Sequence, residues 1–333
     1  MKTGGYEKTL QTIKNAKDMP TEQAIETFVA CAKKGFTLAS VKAVQELAKL
    51  NHPSVAPCLA DLYNWLEQDP KKHDKTCDIR ITIAEAFGQI GTVAGIDTLK
   101  KAVRTVQIAK LGPTPEDLAI GLRATAALAL AGVDSDSLYE LAILLFDEEP
   151  AIPTSPINRP FVKAQTRRAA AQAIGILGDA GGAAILAVKL KFPGEEVPEV
   201  LADCLEALIL MRPPYLLEIT KPYLTGDDEY LSAITALALA QNLGQQVLPL
   251  LCETLEIVHG EAKESIVIAI SVIRSSSIRQ ILLDFLDDSS PFMRRGAAKG
   301  IKTYLDDDVI KKLRKIHATD PDKFVRQAAE LDA

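Results

Sequence analysis

One local pattern recurs along this chain at a nearly regular interval, and it restricts the fold more than any other property. The segment Asp78 to Gly91, DIRITIAEAFGQIG, aligns without gaps on Gln165 to Gly178, QTRRAAAQAIGILG, so that Arg80 matches Arg167, Phe87 matches Ile174 and Gly91 matches Gly178. Extending the pattern places equivalent positions at Ser40, Arg80, Arg123, Arg167, Leu201, Ser232, Lys263, Arg294 and Arg326. From Leu201 onward the steps are 31, 31, 31 and 32 residues, whereas the early steps of 40, 43 and 44 keep the same pair of helices and lengthen their connections. Longer surface loops cost little entropy. A period in this range marks a stacked array, because one such unit cannot bury its apolar stripe alone.

The spacing within a unit is helical. Ile83, Ala86, Phe87 and Ile90 recur at i, i+3, i+4, i+7, and Ile96, Leu99, Val103 and Val106 make a second stripe close behind. Gly88, Gly91 and Gly95, with Gly175, Gly178, Gly181 and Gly182 in the matching unit, read as turn and cap positions. Aromatic residues make up only 5% of the chain, as suits many short helices in close approach. The expected architecture is all-α, a single solenoid of about eight to nine helical hairpins over residues 1–333. Residues 1–35 supply N-terminal capping helices, residues 36–333 the repeats, and a Pro-rich loop is inserted at 149–165, with Pro150, Pro153, Pro156 and Pro160. That loop reads equally as a binding loop or as a spacer. The last unit, around Arg326, either caps the array or marks a piece of a longer one.

In four units an Asp stands six residues before the Arg: Asp74 and Arg80, Asp117 and Arg123, Asp288 and Arg294, Asp320 and Arg326. Over residues 36 to 333 this pattern resembles the HEAT-repeat family, and in particular its short bacterial repeats. The resemblance implies a right-handed α-solenoid in which these eight positions form a structural ladder between adjacent units, and in which each unit's second helix lines a concave binding face. Ser40, Leu201, Ser232 and Lys263 lack the Arg, so the middle units depend on apolar stacking.

Several function classes are disfavoured. The net charge of −6 argues against a general nucleic-acid binder. The strongest basic stretch, Arg294, Arg295, Lys299, Lys302, Lys311, Lys312, Arg314 and Lys315, follows Asp306, Asp307 and Asp308 in a way that matches a helix dipole. HEAT-like glycosylases use a basic channel, but that dipole match explains much of this pattern. Cys31, Cys58, Cys77, Cys204 and Cys252 are odd in number and widely spaced, which fits a reducing cytoplasm. The charge-free run from Tyr230 to Cys252 contains Gln241, Asn242, Gly244, Gln245, Gln246 and Pro249, so it reads as two buried helices joined by a turn instead of a membrane span.

No catalytic or cofactor motif emerges. His52, His73, His259 and His317 fall in different units; His73, Asp74 and Cys77 form the best candidate metal cluster, but ladder and core roles explain them more simply. No His-Glu dipeptide occurs, against the HEAT-like di-iron hydroxylases. The glycine run from Gly175 to Gly182 follows a helix and lacks the Lys-Ser/Thr pair of a phosphate loop. The expectation is therefore a cytoplasmic, non-catalytic scaffold, bacterial in character, that binds a protein partner and neither a cofactor nor a membrane. Arg123, Arg167, Arg168, Arg294, Arg295, Lys299 and the single Trp65 are its candidate contacts, Trp65 lying beside the stripe Val55, Leu59, Leu62 and Leu66. The first alternative, from the 31-residue spacing, is a subunit similar to the phycobilin lyases, which attach or remove tetrapyrroles; the second, ranked below it, is a nucleic-acid-binding HEAT-like protein using the C-terminal basic stretch.

Overall fold

The computed structural model describes residues 3–110, 115–147 and 164–331. The chain divides into two compact units, Met1–Ile185 and Leu186–Ala333. Both are built from helices that pack on their neighbours in sequence. The Pro-rich stretch expected as a loop lies almost wholly outside the described residues.

The first unit contains α1 (Thr3–Ala16), α2 (Thr21–Ala32), α3 (Thr37–Ala48), α4 (Val55–Gln68), α5 (Pro70–His73), α6 (Asp78–Ile90), α7 (Ile96–Ala102), α8 (Ile120–Val133), α9 (Leu138–Leu145) and α10 (Gln165–Leu177). A two-residue antiparallel pairing, β1 (Ile108–Ala109) with β2 (Glu116–Asp117), closes the insertion between α7 and α8. The division of the chain falls inside α11 (Ala180–Lys191). The second unit continues with α12 (Pro198–Met211), α13 (Leu216–Thr225), α14 (Glu229–Leu243), α15 (Leu248–Ile257), α16 (Glu261–Ser271), α17 (Ser276–Phe285), α18 (Pro291–Gly300), α19 (Asp307–Thr319) and α20 (Lys323–Ala328).

Every position equivalent to Arg80 falls in the first turns of a helix, and these helices pack side by side. In the first unit α3, α6, α8 and α10 form one row; in the second α12, α14, α16, α18 and α20 form another. We call these the row helices. An earlier helix flanks most of them: α2 packs on α3, α4 on α6, α7 on α8, α9 on α10, α13 on α14, α15 on α16, α17 on α18 and α19 on α20. Helical hairpins of this kind, stacked through one helix of each pair, are the all-α architecture expected from the repeat.

Small residues let the row helices approach closely. A Cβ added at Gly88 would sit 3.1 Å from the Cβ of Ala129, and one at Gly296 would meet the Glu264 carbonyl oxygen and the Val267 Cβ, each at 2.9 Å. Gly88 and Gly175 are therefore not turn residues as expected: both lie inside helices, α6 and α10, and Gly88 serves close packing. Gly91 and Gly178 do end their helices in the left-handed conformation, at φ 66° and 68°. Val106 is a second correction. α7 stops at Ala102, so Val106 leaves the apolar stripe and is exposed, while Leu99 and Val103 are buried.

The run Tyr230 to Cys252 forms α14, a short 3-10 turn at Gly244–Val247, and α15. Among the described residues no helix is long and apolar enough to cross a membrane. Asp306 caps α19, its carboxylate accepting from the Val309 amide at 2.9 Å, with Asp307 and Asp308 in the first turn as the dipole argument anticipates.

Candidate functional site

The recurring feature of the row helices is what their third or fourth residue reaches. Arg123 Nη1 donates to the Thr105 carbonyl (2.9 Å), Arg167 Nη1 to that of Asp147 (3.1 Å), Arg294 Nη1 to that of Asp288 (2.9 Å) and Arg326 Nη1 to that of Asp320 (2.7 Å). Each acceptor lies just beyond the end of the flanking helix, where carbonyls lack helical partners. A cation there also suits the negative end of that helix.

In the first unit these residues join a buried polar chain. Arg80 Nε donates to Asp74 Oδ2 at 3.1 Å, with 1% of the Arg side chain and none of the Asp side chain exposed. Asp74 also accepts from the Ile79 and Arg80 amides, both at 3.1 Å. Arg80 Nη2 donates to Cys77 Sγ at 3.0 Å and makes a short bond to Gln107 Oε1. Gln107 connects onward: its amide nitrogen donates to Asp117 Oδ1 at 2.9 Å, and its side chain donates to the Asp74 and Lys75 carbonyls. Asp117 Oδ2 accepts from Arg123 Nη1 at 2.5 Å, and Arg123 Nε lies 3.5 Å from Asp147 Oδ2 without hydrogen-bond geometry. Burial alone would raise the Asp117 carboxyl, but the Arg123 guanidinium and the Gln107 and Ala119 amides outweigh it and hold the group below the usual carboxylate range.

The second unit carries the same device more openly. Arg294 reaches forward to Asp320, Nε to Oδ2 at 2.8 Å and Nη2 to Oδ1 at 3.1 Å, a bidentate pair between successive units. Asp288 departs from the expected ladder: it offers Arg294 its backbone carbonyl, while its carboxylate accepts from the Ser290 amide. Asp320 likewise gives Arg326 its carbonyl, while its carboxylate takes Arg294 and the Asp322 amide. Two residues that the Asp-Arg spacing did not mark, Gln107 and Asp147, complete the chain of contacts. Gln107 sits in the insertion after α7, where no repeat register applies. The Asp147 to Arg167 interval is stretched by the loop, which hid the correspondence with Asp320 and Arg326.

The residues expected to contact a partner have intramolecular roles. Arg295 makes a short ion pair with Glu264, Lys299 Nζ lies 2.7 Å from the other Glu264 oxygen, and the Glu264 side chain is only 8% exposed. The Arg295 guanidinium also stacks over Phe292 and Phe324, at 5.1 and 5.8 Å from the ring centroids. Arg168 is half-buried on α10. Trp65, half-buried beside the fully buried Leu59, Leu62 and Leu66, stacks on His73 at 3.8 Å between centroids, with Lys33 Nζ 5.4 Å above its ring. His73 Nδ1 meets the Trp65 carbonyl at 3.0 Å, while Asp74 and Cys77 turn to Arg80. Of the candidate metal cluster, His73 thus faces Trp65 while Asp74 and Cys77 share Arg80. Among the described residues no group of three or more His, Cys, Asp or Glu side chains is placed to hold a metal ion.

Residues 248–331 match HEAT repeats. The matched stretch begins at the first residue of α15 and runs through α20, so it takes in three flanking and row pairs, α15 with α16, α17 with α18 and α19 with α20. It supports a HEAT-repeat family for the chain. The bidentate Arg294–Asp320 contact lies inside it and links the last two of these HEAT units. No curated protein matches the chain.

Proposed function

We propose that this protein is a non-catalytic interaction scaffold that binds a protein partner along its row helices. The observation that carries this reading is the division of labour between polar groups. The Asp74–Arg80 and Asp117–Arg123 pairs, with Cys77, are buried, and Gln107 links the first pair to the second, so these groups serve the fold. What the row helices present to solvent is instead a repeated strip of side chains, the geometry that stacked helical repeats offer to extended partners. Free cysteines throughout suit a reducing compartment such as the cytoplasm.

Crosslinked affinity capture of the tagged chain from its native lysate, read by mass spectrometry, tests the proposal. Recovery of a stoichiometric protein partner is expected. Failure to recover any, together with turnover of a small substrate by the purified chain, would sink it. The lyase-subunit alternative rests on repeat spacing alone and takes second place; colour on co-expression with a bilin and an acceptor protein would reverse that order.

A further inference from the structure

The insertion between α7 and α8 lies outside the repeat, and it forms one wall of a cleft of about 490 Å³ in the first unit. Lys71 and Lys75, from α5 and its link to α6, line one side; the other is made by Pro115 and by four successive residues, Gln107 to Lys110, that include β1. No residue of β2 lines it, so the cleft runs along the outer edge of β1. The buried Gln107 side chain ties the two walls together by donating to the Asp74 and Lys75 carbonyls. That outer edge is open. The Leu118 amide donates to the Gln107 carbonyl at 2.9 Å, and Ile108 stands opposite Asp117. Bonded and non-bonded positions alternate in an antiparallel pair, so the Ile108 amide and carbonyl point away from β2. Among the described residues no protein group bonds either of them.

The charge on these walls is all positive. Lys71, Lys75 and Lys110 are exposed, and among the described residues none of their ammonium groups makes an ion pair or a hydrogen bond. No carboxylate lines the cleft. The acidic side chains nearest in sequence are engaged elsewhere or stand on β2. Asp69 caps α5 through the Lys72 amide at 3.2 Å, Asp74 is buried against Arg80, Asp78 accepts from the Thr76 hydroxyl at 2.6 Å, and Glu116 belongs to β2. Leu111 to Thr114 add no charge by sequence. In a chain of net charge −6, three unpaired cations around one cleft make a local field opposite in sign to that of the whole. Beside them the surface is apolar, with Ile108 49% exposed and Pro115 exposed. Single unpaired lysines are ordinary on a protein surface; here three of them border an unpaired strand edge.

We propose that this cleft takes an extended acidic segment of a protein partner, which pairs with the Ile108 amide and carbonyl as an added strand and sets its carboxylates against Lys71, Lys75 and Lys110. The proposal rests on the scaffold reading for the kind of partner and adds a contact outside the row helices. Main-chain bonds to an open edge supply affinity, and alternate side chains of an added strand share one face, so acidic residues at i and i+2 meet the same wall. The ammonium groups reject basic segments and fix orientation. A nucleic-acid strand fits less well. It has no amide and carbonyl to complete the strand edge, and so few phosphate contacts give little affinity against a net charge of −6.

The test is selection of random displayed peptides on the full chain, followed by titration of a synthetic peptide of the recovered sequence against wild type, Lys75→Glu and Lys110→Glu. Both substitutions change exposed side chains that hold no partner, Lys75 bonding Gln107 only through its backbone carbonyl, and thermal unfolding checks that each variant folds. Recovered sequences are expected to carry Asp or Glu at i and i+2 with no proline between them. Each variant should bind the peptide about tenfold more weakly, and that loss should shrink at high salt. Bound peptide should slow hydrogen exchange of the Ile108 amide, and methylating the peptide's backbone nitrogens should abolish binding. Enrichment of no peptide, a consensus without acidic residues, unchanged binding by both folded variants, or an unprotected Ile108 amide would overturn the proposal. So would a single-stranded oligonucleotide that displaces the peptide at equal concentration, which would make nucleic acid the occupant. Capture of one protein equally by wild type and both variants would refute this cleft and leave the scaffold reading intact.

Discussion

Replacing Asp117 by Asn is the sharpest perturbation of the buried chain, because it changes charge and hydrogen bonding while keeping shape. The Asn oxygen can still accept from the Gln107 and Ala119 amides, now at 2.9 and 3.0 Å. Its amide nitrogen, however, would face Arg123 Nη1, which stands 2.5 Å from Asp117 Oδ2. Two donors then oppose each other. The Arg123 side chain, only 3% exposed, keeps the Thr105 carbonyl and the more distant Asp147 as its remaining contacts. Stranding one partner of a buried pair costs about 3–5 kcal/mol, which for a unit of this size lowers Tm by roughly 10 °C. Arg123→Met alone should also destabilise, but in D117N it should relieve much of the loss, so the two effects are strongly non-additive. The sign of the pH dependence follows from the lowered Asp117 carboxyl. A carboxyl depressed on folding contributes stability that is full above its unfolded value, about 3.9, and is lost as pH falls through the folded value. The difference between wild type and D117N should therefore be largest near neutrality and shrink below about pH 4. Calorimetry and denaturant unfolding measure both. A loss under ~1 kcal/mol, or additive single substitutions, would refute the claim that this pair fastens α8 to the insertion before it.

Three further outcomes are expected. Glu46, held down at about 2 because its ion pairs with Lys17, Lys42 and Lys49 outweigh its burial, ties α1 to α3, so Glu46→Gln should raise hydrogen exchange in α1 at neutral pH; in wild type the contribution should fade as pH drops from about 4.3 toward 2. Gly296→Ala should cost about 1–3 kcal/mol in denaturant unfolding, since the new Cβ meets backbone and a β-branched carbon, whereas Gly132→Ala, with nothing within 4 Å, should stabilise by up to ~1 kcal/mol. Iodoacetamide at pH 8 should leave Cys77 and Cys204 unmodified in the folded protein, because burial pushes Cys77 up to about 12 and Cys204 further still; rapid adduct formation at either by mass spectrometry would show that the core opens there.

The hairpins were legible because their signal is local and repeated. Apolar residues at i, i+3, i+4 and i+7 and a left-handed glycine after Ile90 and Leu177 specify the same helix end wherever they occur. Side-chain destinations were less legible. Gly88 and Gly175 look identical in sequence to the cap glycines, and only the approach of Ala129 separates packing from turning at Gly88. Arg295 and Lys299 read as surface cations until Glu264, over thirty residues away along the chain, is found buried beneath them. The motif nevertheless located the correct Arg positions, and only the assignment of each Asp to its Arg required the third dimension.

Ser232 explains how the middle units dispense with arginine. Its hydroxyl donates to the Leu224 carbonyl at 2.8 Å, at the end of the flanking helix α13, which is the job done by Arg123, Arg167, Arg294 and Arg326 at the same register. The hydroxyl satisfies that carbonyl from within its own unit but is too short to reach the next one. A guanidinium can do both, as the Arg294 contacts to Asp288 and Asp320 demonstrate. Where the serine stands, cohesion between neighbours must come from side chains such as Ala236, Leu239, Ile266, Val267 and Ile270, all buried. Apolar contact is non-directional, whereas a bidentate ion pair fixes the relative placement of two helices.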